Sequence, residues 1–171
     1  MTNWLAGMRT TADRLYDTDL IGRMVFLANR GTNQSISSGA DTVANALQWD
    51  EVGLDLLGGW SAAQPTRWTC PRAGWWTLQG AVGFNNSASG AVRECCWYVN
   101  GGLISMGRSR PIVTVPTNTT LTVDARAVPR LMVVGDYVQL IAAHNSTAPS
   151  ALDTATGSFR PYITITYSGP P

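Results

Sequence analysis

The sequence contains a single histidine, His144, so any Ser–His–Asp or Cys–His nucleophilic site has to use that residue. His144 ends a predicted strand and shares the parity of Val138, Leu140 and Ala142, which indicates a partly buried packing residue rather than a catalytic base. The sequence also has no Gly-x-Ser-x-Gly nucleophile elbow. We therefore predict no catalytic residue and no enzymatic activity.

Three cysteines are the other candidates for reactive or metal-binding side chains. Cys95 and Cys96 are adjacent in a predicted strand and point to opposite faces, so at most one of them can meet Cys70. Their spacing does not match a zinc site. The acidic groups near Asp17 and Asp50 lack the ligand density and glycine spacing of a calcium loop. We predict buried free thiols, no metal and no cofactor.

The composition limits the elements that position these residues. Lysine is absent, all 12 basic residues are arginine, and threonine (19), serine (12), glycine (17) and asparagine (9) are abundant. This mixture favours strands and turns, which excludes a helical bundle and a doubly wound α/β enzyme. A net charge of +1 with 13% charged residues offers no basic surface for nucleic acid or an anionic membrane. With no visible secretory signal and no bilayer-length apolar run, we expect a soluble protein made in a reducing cytoplasm.

Two regions are predicted, an N-terminal arm over residues 1–20 and one all-β domain over residues 21–171. The arm carries apolar residues at helical spacing, namely Trp4, Leu5, Met8, Ala12 and Leu15. Two interpretations stay open. The arm either folds back on its own domain or frays, or it is an anchor that docks onto another protein.

Many short apolar segments separated by turn residues predict an antiparallel sandwich or barrel in the second region. The predicted strands cover residues 24–28, 43–49, 52–57, 66–70, 75–84, 91–99, 103–106, 119–125, 136–144 and 159–167.

Alternation along these strands predicts which residues face the core. The predicted core residues are Trp76, Leu78, Val82, Phe84, Val138, Leu140, Ala142, Ile163, Ile165 and Tyr167. The opposite faces carry almost no charge, a pattern that favours contact with protein over contact with water. The outward residues include Trp75, Thr77, Gln79, Ala81, Tyr137, Gln139, Tyr162, Thr164 and Thr166.

Several motifs occur in an order that resembles the tumour-necrosis-factor-like and complement globular-head jelly rolls. They are Pro71 followed by Gly74-Trp75-Trp76-Thr77-Leu78, the hairpin Tyr98-Val99-Asn100-Gly101, the turn and strand Leu131 to Leu140 around Gly135-Asp136, and the closing segment from Ser158-Phe159 to Ile163 and Ile165. The resemblance covers residues 23–167 and implies an antiparallel jelly-roll β-sandwich. Residues 108–117 depart from it, and no collagen-like stalk precedes the domain.

The segment Trp4 to Leu15 resembles the opening of virion and tail-associated proteins of phages that infect actinobacteria. The arginine bias agrees with that source. This second resemblance implies a virion protein of the jelly-roll type, usually a homotrimer, that is attached to the particle through Trp4, Leu5, Met8, Ala12 and Leu15. Within such a trimer, Trp75, Thr77, Gln79 and Tyr162 are the candidate subunit contacts.

The leading functional hypothesis is therefore a non-enzymatic virion protein, either a minor tail or fibre protein or a capsid decoration protein, whose partners are itself and other virion proteins. As a fibre tip it binds a host-surface glycan through loops at residues 85–90, 108–116 and 145–157. The seven tryptophans fit core and subunit packing, with stacking on sugar rings as the alternative. The alternative function is a secreted or surface binding module of the cytokine or complement-head kind.

Overall fold

The structure, a computed structural model, describes residues 18–112, 119–147 and 150–171. After a helical turn at residues 18–20, these ranges contain antiparallel strands and three short 3₁₀ helices. The strands are β1 (Met24–Asn29), β2 (Ser35–Ser37), β3 (Glu51–Asp55), β4 (Trp68–Thr69), β5 (Gly74–Phe84), β6 (Arg93–Val99), β7 (Gly102–Leu103), β8 (Leu121–Met132), β9 (Tyr137–His144), β10 (Ala151–Asp153) and β11 (Tyr162–Gly169). The 3₁₀ helices are η1 (Val43–Asn45), η2 (Ser105–Gly107) and η3 (Gly157–Phe159).

The strands form two main sheets and a small ribbon. The five-stranded sheet has the order β3-β1-β11-β5-β8, the four-stranded sheet has the order β4-β9-β6-β7, and β10 pairs with β2. The pairings are antiparallel. The predicted all-β, antiparallel sandwich is confirmed.

The two large sheets enclose one main core, and the predicted core residues of β5, β9 and β11 all lie in it. Trp76 of β5 contacts Trp68 of β4 with ring centroids 5.1 Å apart, and on its other side contacts Tyr167 of β11 at 4.8 Å. Both contacts are edge-to-face, the arrangement that the ring quadrupoles favour. Phe26 adds a ring 6.2 Å from Trp68. Aromatic packing therefore joins the two sheets directly.

The two predicted turns lie side by side and share hydrogen bonds. Asn100 and Gly101 have φ values of 52° and 76°, as a type I′ hairpin requires. The Asn100 amide donates to a carboxylate oxygen of Asp136 at 2.7 Å and its Oδ1 accepts the Tyr137 N–H at 2.9 Å. These two hydrogen bonds connect the β6–β7 hairpin to the start of β9.

Several strand predictions need correction. Residues 43–49 form η1 and a single bridge from Ala46 to Ile141 instead of a strand. Strand β8 continues to Met132 beyond the predicted end at residue 125, and Phe159 lies in η3, before the closing strand. The strands β2 and β10 were missed because each has only three residues and pairs with a partner distant in sequence.

The outward side of β9 is covered by the chain itself. Gln139 faces away from the main core, as the alternation predicts, but it is buried and donates a hydrogen bond to Thr66 Oγ1 at 3.1 Å. The outward side of the four-stranded sheet is covered by sequence-distant segments, among which Ala46 packs on Cys96, Tyr98 and Ile141. Alternation alone cannot reveal such a cover.

None of the helices among the described residues has the length and apolarity that crossing a membrane requires.

Candidate interaction surface and buried charge cluster

The side of the five-stranded sheet that faces away from the core is called the outer face here. Trp75, Thr77 and Gln79 of β5 lie on it because Trp76 and Leu78 between them point into the core. Register places Thr164 of β11 beside Gln79 and Tyr162 beside Ala81. The sequence-predicted contact residues Trp75, Thr77, Gln79 and Tyr162 therefore share one face of adjacent strands.

The centre of the outer face is uncharged, and its charges lie at the two edges. One row across the sheet runs from Glu51 on β3 through Asn29, Tyr162 and Ala81 to Asp124 on β8. Within the sheet, Thr77 and Ser168 hydroxyls are 2.8 Å apart and satisfy each other. Trp75 is 43% exposed and Tyr162 37%. An uncharged centre with charges confined to the rim fits a protein–protein contact, whose core is depleted in charged residues.

A second exposed surface lies along β8, the terminal strand of its sheet, and is called the β8 edge here. Beside it, at the seam between the sheets, is a cavity of about 370 Å³ lined by Leu103, Ile104, Met106 and Arg130, among others. Met106 is 70% exposed. Among the described residues, no further strand pairs with β8 on this side. A strand edge with apolar neighbours is normally covered in a stable protein.

The end of the sandwich where β1 starts and β8 finishes carries a further apolar group, called the apolar base here. Its exposed members are Ile21, Met24, Leu56, Leu131, Val133 and Val134. They share this end because β3 and β11 finish there and Leu131 pairs with Trp75 near the start of β5.

A buried charge cluster lies between β6 and the segment that follows η2. Glu94 of β6 is fully buried, and its two carboxylate oxygens contact the Nε atoms of Arg108 at 2.6 Å and Arg110 at 2.8 Å. Arg108 also pairs with Asp41, whose carboxylate accepts a hydrogen bond from Tyr98 at 3.0 Å. These ion pairs therefore bind two segments distant in sequence, one around Asp41 and one after η2, to the four-stranded sheet.

Burial and pairing act in opposite directions on the two carboxylates. Burial raises the pKa of Glu94 despite the neighbouring Arg108 and Arg110 guanidinium groups. Burial also tends to raise the pKa of Asp41, but hydrogen bonds from Tyr98 and Arg108 outweigh it and hold that pKa below its usual value. Desolvation of a carboxylate raises its pKa, and hydrogen bonds or ion pairs to the charged form lower it, so the balance differs between the two residues.

The sequence does not predict this cluster, because Asp41, Glu94 and Arg108 come from separate segments. One signal is present in the sequence: residues 93–99 do not alternate between apolar and polar side chains, which indicates that both faces of this strand are covered. Asp41, Glu94 and Cys96 place potential metal-ligand atoms within 4.8 Å of one another. The arginines already supply positive charge to both carboxylates, so the arrangement fits an ion-pair network better than a cation site.

His144 lies at the opposite end of the sandwich, called the distal end here, where it connects two backbone segments through hydrogen bonds. Its Nε2 bonds the Ile36 carbonyl at 2.8 Å, and its Nδ1 accepts the Ser146 N–H at 3.1 Å, so the proton belongs on Nε2. Burial lowers the pKa of His144, and the adjacent Arg93 lowers it further. With both ring nitrogens committed to the backbone, His144 has a packing role, as predicted.

The three cysteines are buried and free, as the sequence predicted. Burial raises the pKa of Cys70 to about 11 and that of Cys96 to about 12. These thiols therefore stay protonated at neutral pH and are poor nucleophiles.

The predicted anchor residues Trp4, Leu5, Met8, Ala12 and Leu15 lie outside the described residues, as does part of the predicted loop at 108–116. The predicted loop at 85–90 and the start of the one at 145–157 lie at the distal end, where Val92 N–H donates to Asn145 Oδ1 at 2.7 Å. The described part of the loop at 108–116 runs along β6 towards that end, from the bridge of Ser109 with Cys95 to the bridge of Ile112 with Val92.

These features define a TNF-like β-sandwich with an exposed, uncharged sheet face. Among solved structures, the chain is similar to that described as "Structure of Eiger TNF from S. frugiperda", with a TM-score of 0.61 and 8% identity over 86% of this chain and 94% of that one. At this identity the similarity concerns the fold alone. No protein-family model and no curated protein matches the sequence.

The first prediction concerns Arg108. Substitution Arg108→Ala leaves the fully buried Glu94 with only Arg110, so we expect a loss of about 3 kcal/mol in the free energy of unfolding at pH 7. The matched control is Arg160→Ala, which removes an exposed pair with Glu51 and should cost less than about 1 kcal/mol. Urea unfolding measures both, and equal losses contradict the structural role of the cluster.

The second prediction concerns pH. The folded pKa of His144 lies below its unfolded value of about 6.5, so the unfolded chain binds the proton more tightly. Stability is therefore complete above about pH 6.5 and falls below it, by at most about 1.4 kcal/mol per pH unit. His144→Gln retains a donor for Ile36 and should flatten this slope between pH 7 and 5. Urea titrations at each pH give the comparison, and parallel curves for the two proteins contradict the assignment.

Proposed function

We propose that this chain is a self-associating, non-enzymatic binding module that forms a homotrimer through the outer face. The observation that carries the proposal is the uncharged centre of that face, where Trp75 and Tyr162 are exposed beside Thr77 and Gln79. Burying such a surface removes apolar area from water and leaves no unpaired charge at the centre of the contact.

A threefold ring needs two different surfaces on each copy, because its contacts are heterologous. The β8 edge supplies the second one, since Leu103, Ile104 and Met106 beside it are apolar. Among the described residues that line the cavity, Arg130 is the one that carries a charge. Each copy thus places its β8 edge on the outer face of the next, and the ring closes after three.

Light scattering tests this arrangement. The native chain should have three times its 18.3 kDa mass at micromolar concentration. Gln79→Arg places a charge at the centre of the outer face, and Met106→Arg places one on the β8 edge, so each variant alone should be monomeric. The matched control Gln48→Arg changes an exposed glutamine away from both surfaces and should remain trimeric.

Mixing the two interface variants separates a ring from a symmetric dimer. Gln79→Arg retains an intact β8 edge and Met106→Arg retains an intact outer face, so the mixture should contain a complex of two chains that cannot close. A monomeric native chain, or a mixture that stays monomeric, contradicts the proposed contact.

We also propose that the trimer is a virion component of an actinobacterial phage, assembled in the host cytoplasm. The support is the sequence resemblance of residues 4–15, together with the start of the described chain at the apolar base, opposite the loop at 85–90. In this arrangement Trp4, Leu5, Met8, Ala12 and Leu15 attach the trimer to other virion proteins, either on the tail or on the capsid, and the loops face outward.

Labelling purified particles with an antibody against the chain tests the location. Signal at the tail or the capsid is expected, and particles without the chain by mass spectrometry contradict the virion role. Binding of the purified trimer to a susceptible host but not to a resistant one identifies a fibre-type protein that recognises a surface glycan. Binding to neither identifies a decoration protein.

The second candidate is a secreted or surface binding module. The observation that favours it is the structural similarity to Eiger TNF. Recovery of the chain from culture medium in the absence of particles distinguishes it from a virion component.

A further inference from the structure

The apolar base contains six of the twelve exposed large hydrophobic residues in the described part of the chain. Val133 and Val134 form the turn between β8 and β9 and are 59% and 66% exposed. Ile21, Met24 and Leu56 are exposed at the same end of the sheet, on the side of β1 and β3. A patch of this kind usually marks a contact site.

Residues 1–17 join the domain beside this patch. The described chain begins at Thr18, and Leu20 is already buried in the core. Two residues later, Gly22 N–H donates to the Tyr167 carbonyl at 2.7 Å, next to the point where β11 pairs with the start of β5. The covalent connection therefore delivers the preceding residues to the apolar base.

Residues 2–15 could cover the apolar base, because they carry an apolar stripe and because a helix of their length would span the end of the sheet. Trp4, Met8, Ala12 and Leu15 recur at helical spacing, while Arg9 and Arg14 lie off that stripe. A helix over residues 2–15 would be about 21 Å long at 1.5 Å per residue. Five strands about 4.8 Å apart span about 19 Å, so one such helix would reach across the end of the sheet.

We propose that residues 2–15 of the same chain bind the apolar base through Trp4, Leu5, Met8, Ala12 and Leu15. The short tether gives the segment a high effective concentration at its own base, which favours it over a segment from another copy. Arg9 and Arg14 then remain towards solvent. This docking occurs in the chain that is not attached to a particle, and it does not depend on formation of the proposed trimer. Attachment to a particle would exchange this contact for one with another virion protein.

Cross-linking in the full-length chain tests the docking. Ala12→Cys combined with Val133→Cys should give a link within one chain when treated with a short bismaleimide. Ala12→Cys combined with Ile112→Cys, whose second site is exposed at the distal end, is the matched control and should not. The native cysteines are buried, and the unsubstituted protein verifies that they do not react. Equal linking at both ends, or linking between chains, overturns the proposal.

A second measurement uses a fluorescent dye that binds exposed apolar surface. Trp4→Ser with Met8→Ser should uncover the base and increase dye fluorescence severalfold. Arg9→Ser with Arg14→Ser changes the opposite side of the segment and should leave the fluorescence unchanged. The same increase in both variants, or in neither, overturns the proposal. Light scattering on these samples reports the trimer separately, so loss of one result leaves the other interpretable.

Discussion

The packing of Trp76 between Trp68 and Tyr167 is the contact on which the rest of the structure depends. It joins a strand of each sheet and fixes the rotation of β5 about its own axis. Because successive side chains of a strand alternate, Trp76 in the core forces Trp75 and Thr77 outward. The exposed surface proposed for self-association is thus a direct consequence of the core, and a change that rotates β5 alters both.

Sequence alone predicted those parts of the fold where each strand has one buried face. The alternation of β5 and β11 placed Trp76 and Ile163 correctly, and Asn100-Gly101 predicted its hairpin. Alternation did not show where a segment distant in sequence covers the outward side of a strand, as at Gln139. It also could not find the ion-pair cluster around Glu94, because the fold creates that cluster by bringing three segments together. Whether the outer face binds another copy is a property of two chains, which a single sequence specifies only indirectly.

The absence of lysine has a structural counterpart in the charge cluster. Arg108 contacts Asp41 and Glu94 at once, using different nitrogens of one planar guanidinium. A lysine ammonium is a single strongly hydrated centre and cannot bridge two carboxylates with fixed geometry in this way. Arginine therefore allows a fully buried glutamate to hold the segment after η2 against β6.

The hydrogen bond from Gly22 to Tyr167 places the first and last strands of the domain at one end of the sandwich. Both ends of the folded unit consequently emerge on the same side. Copies of this domain can be joined in tandem by short flexible linkers into one polypeptide without threading a connection across the molecule.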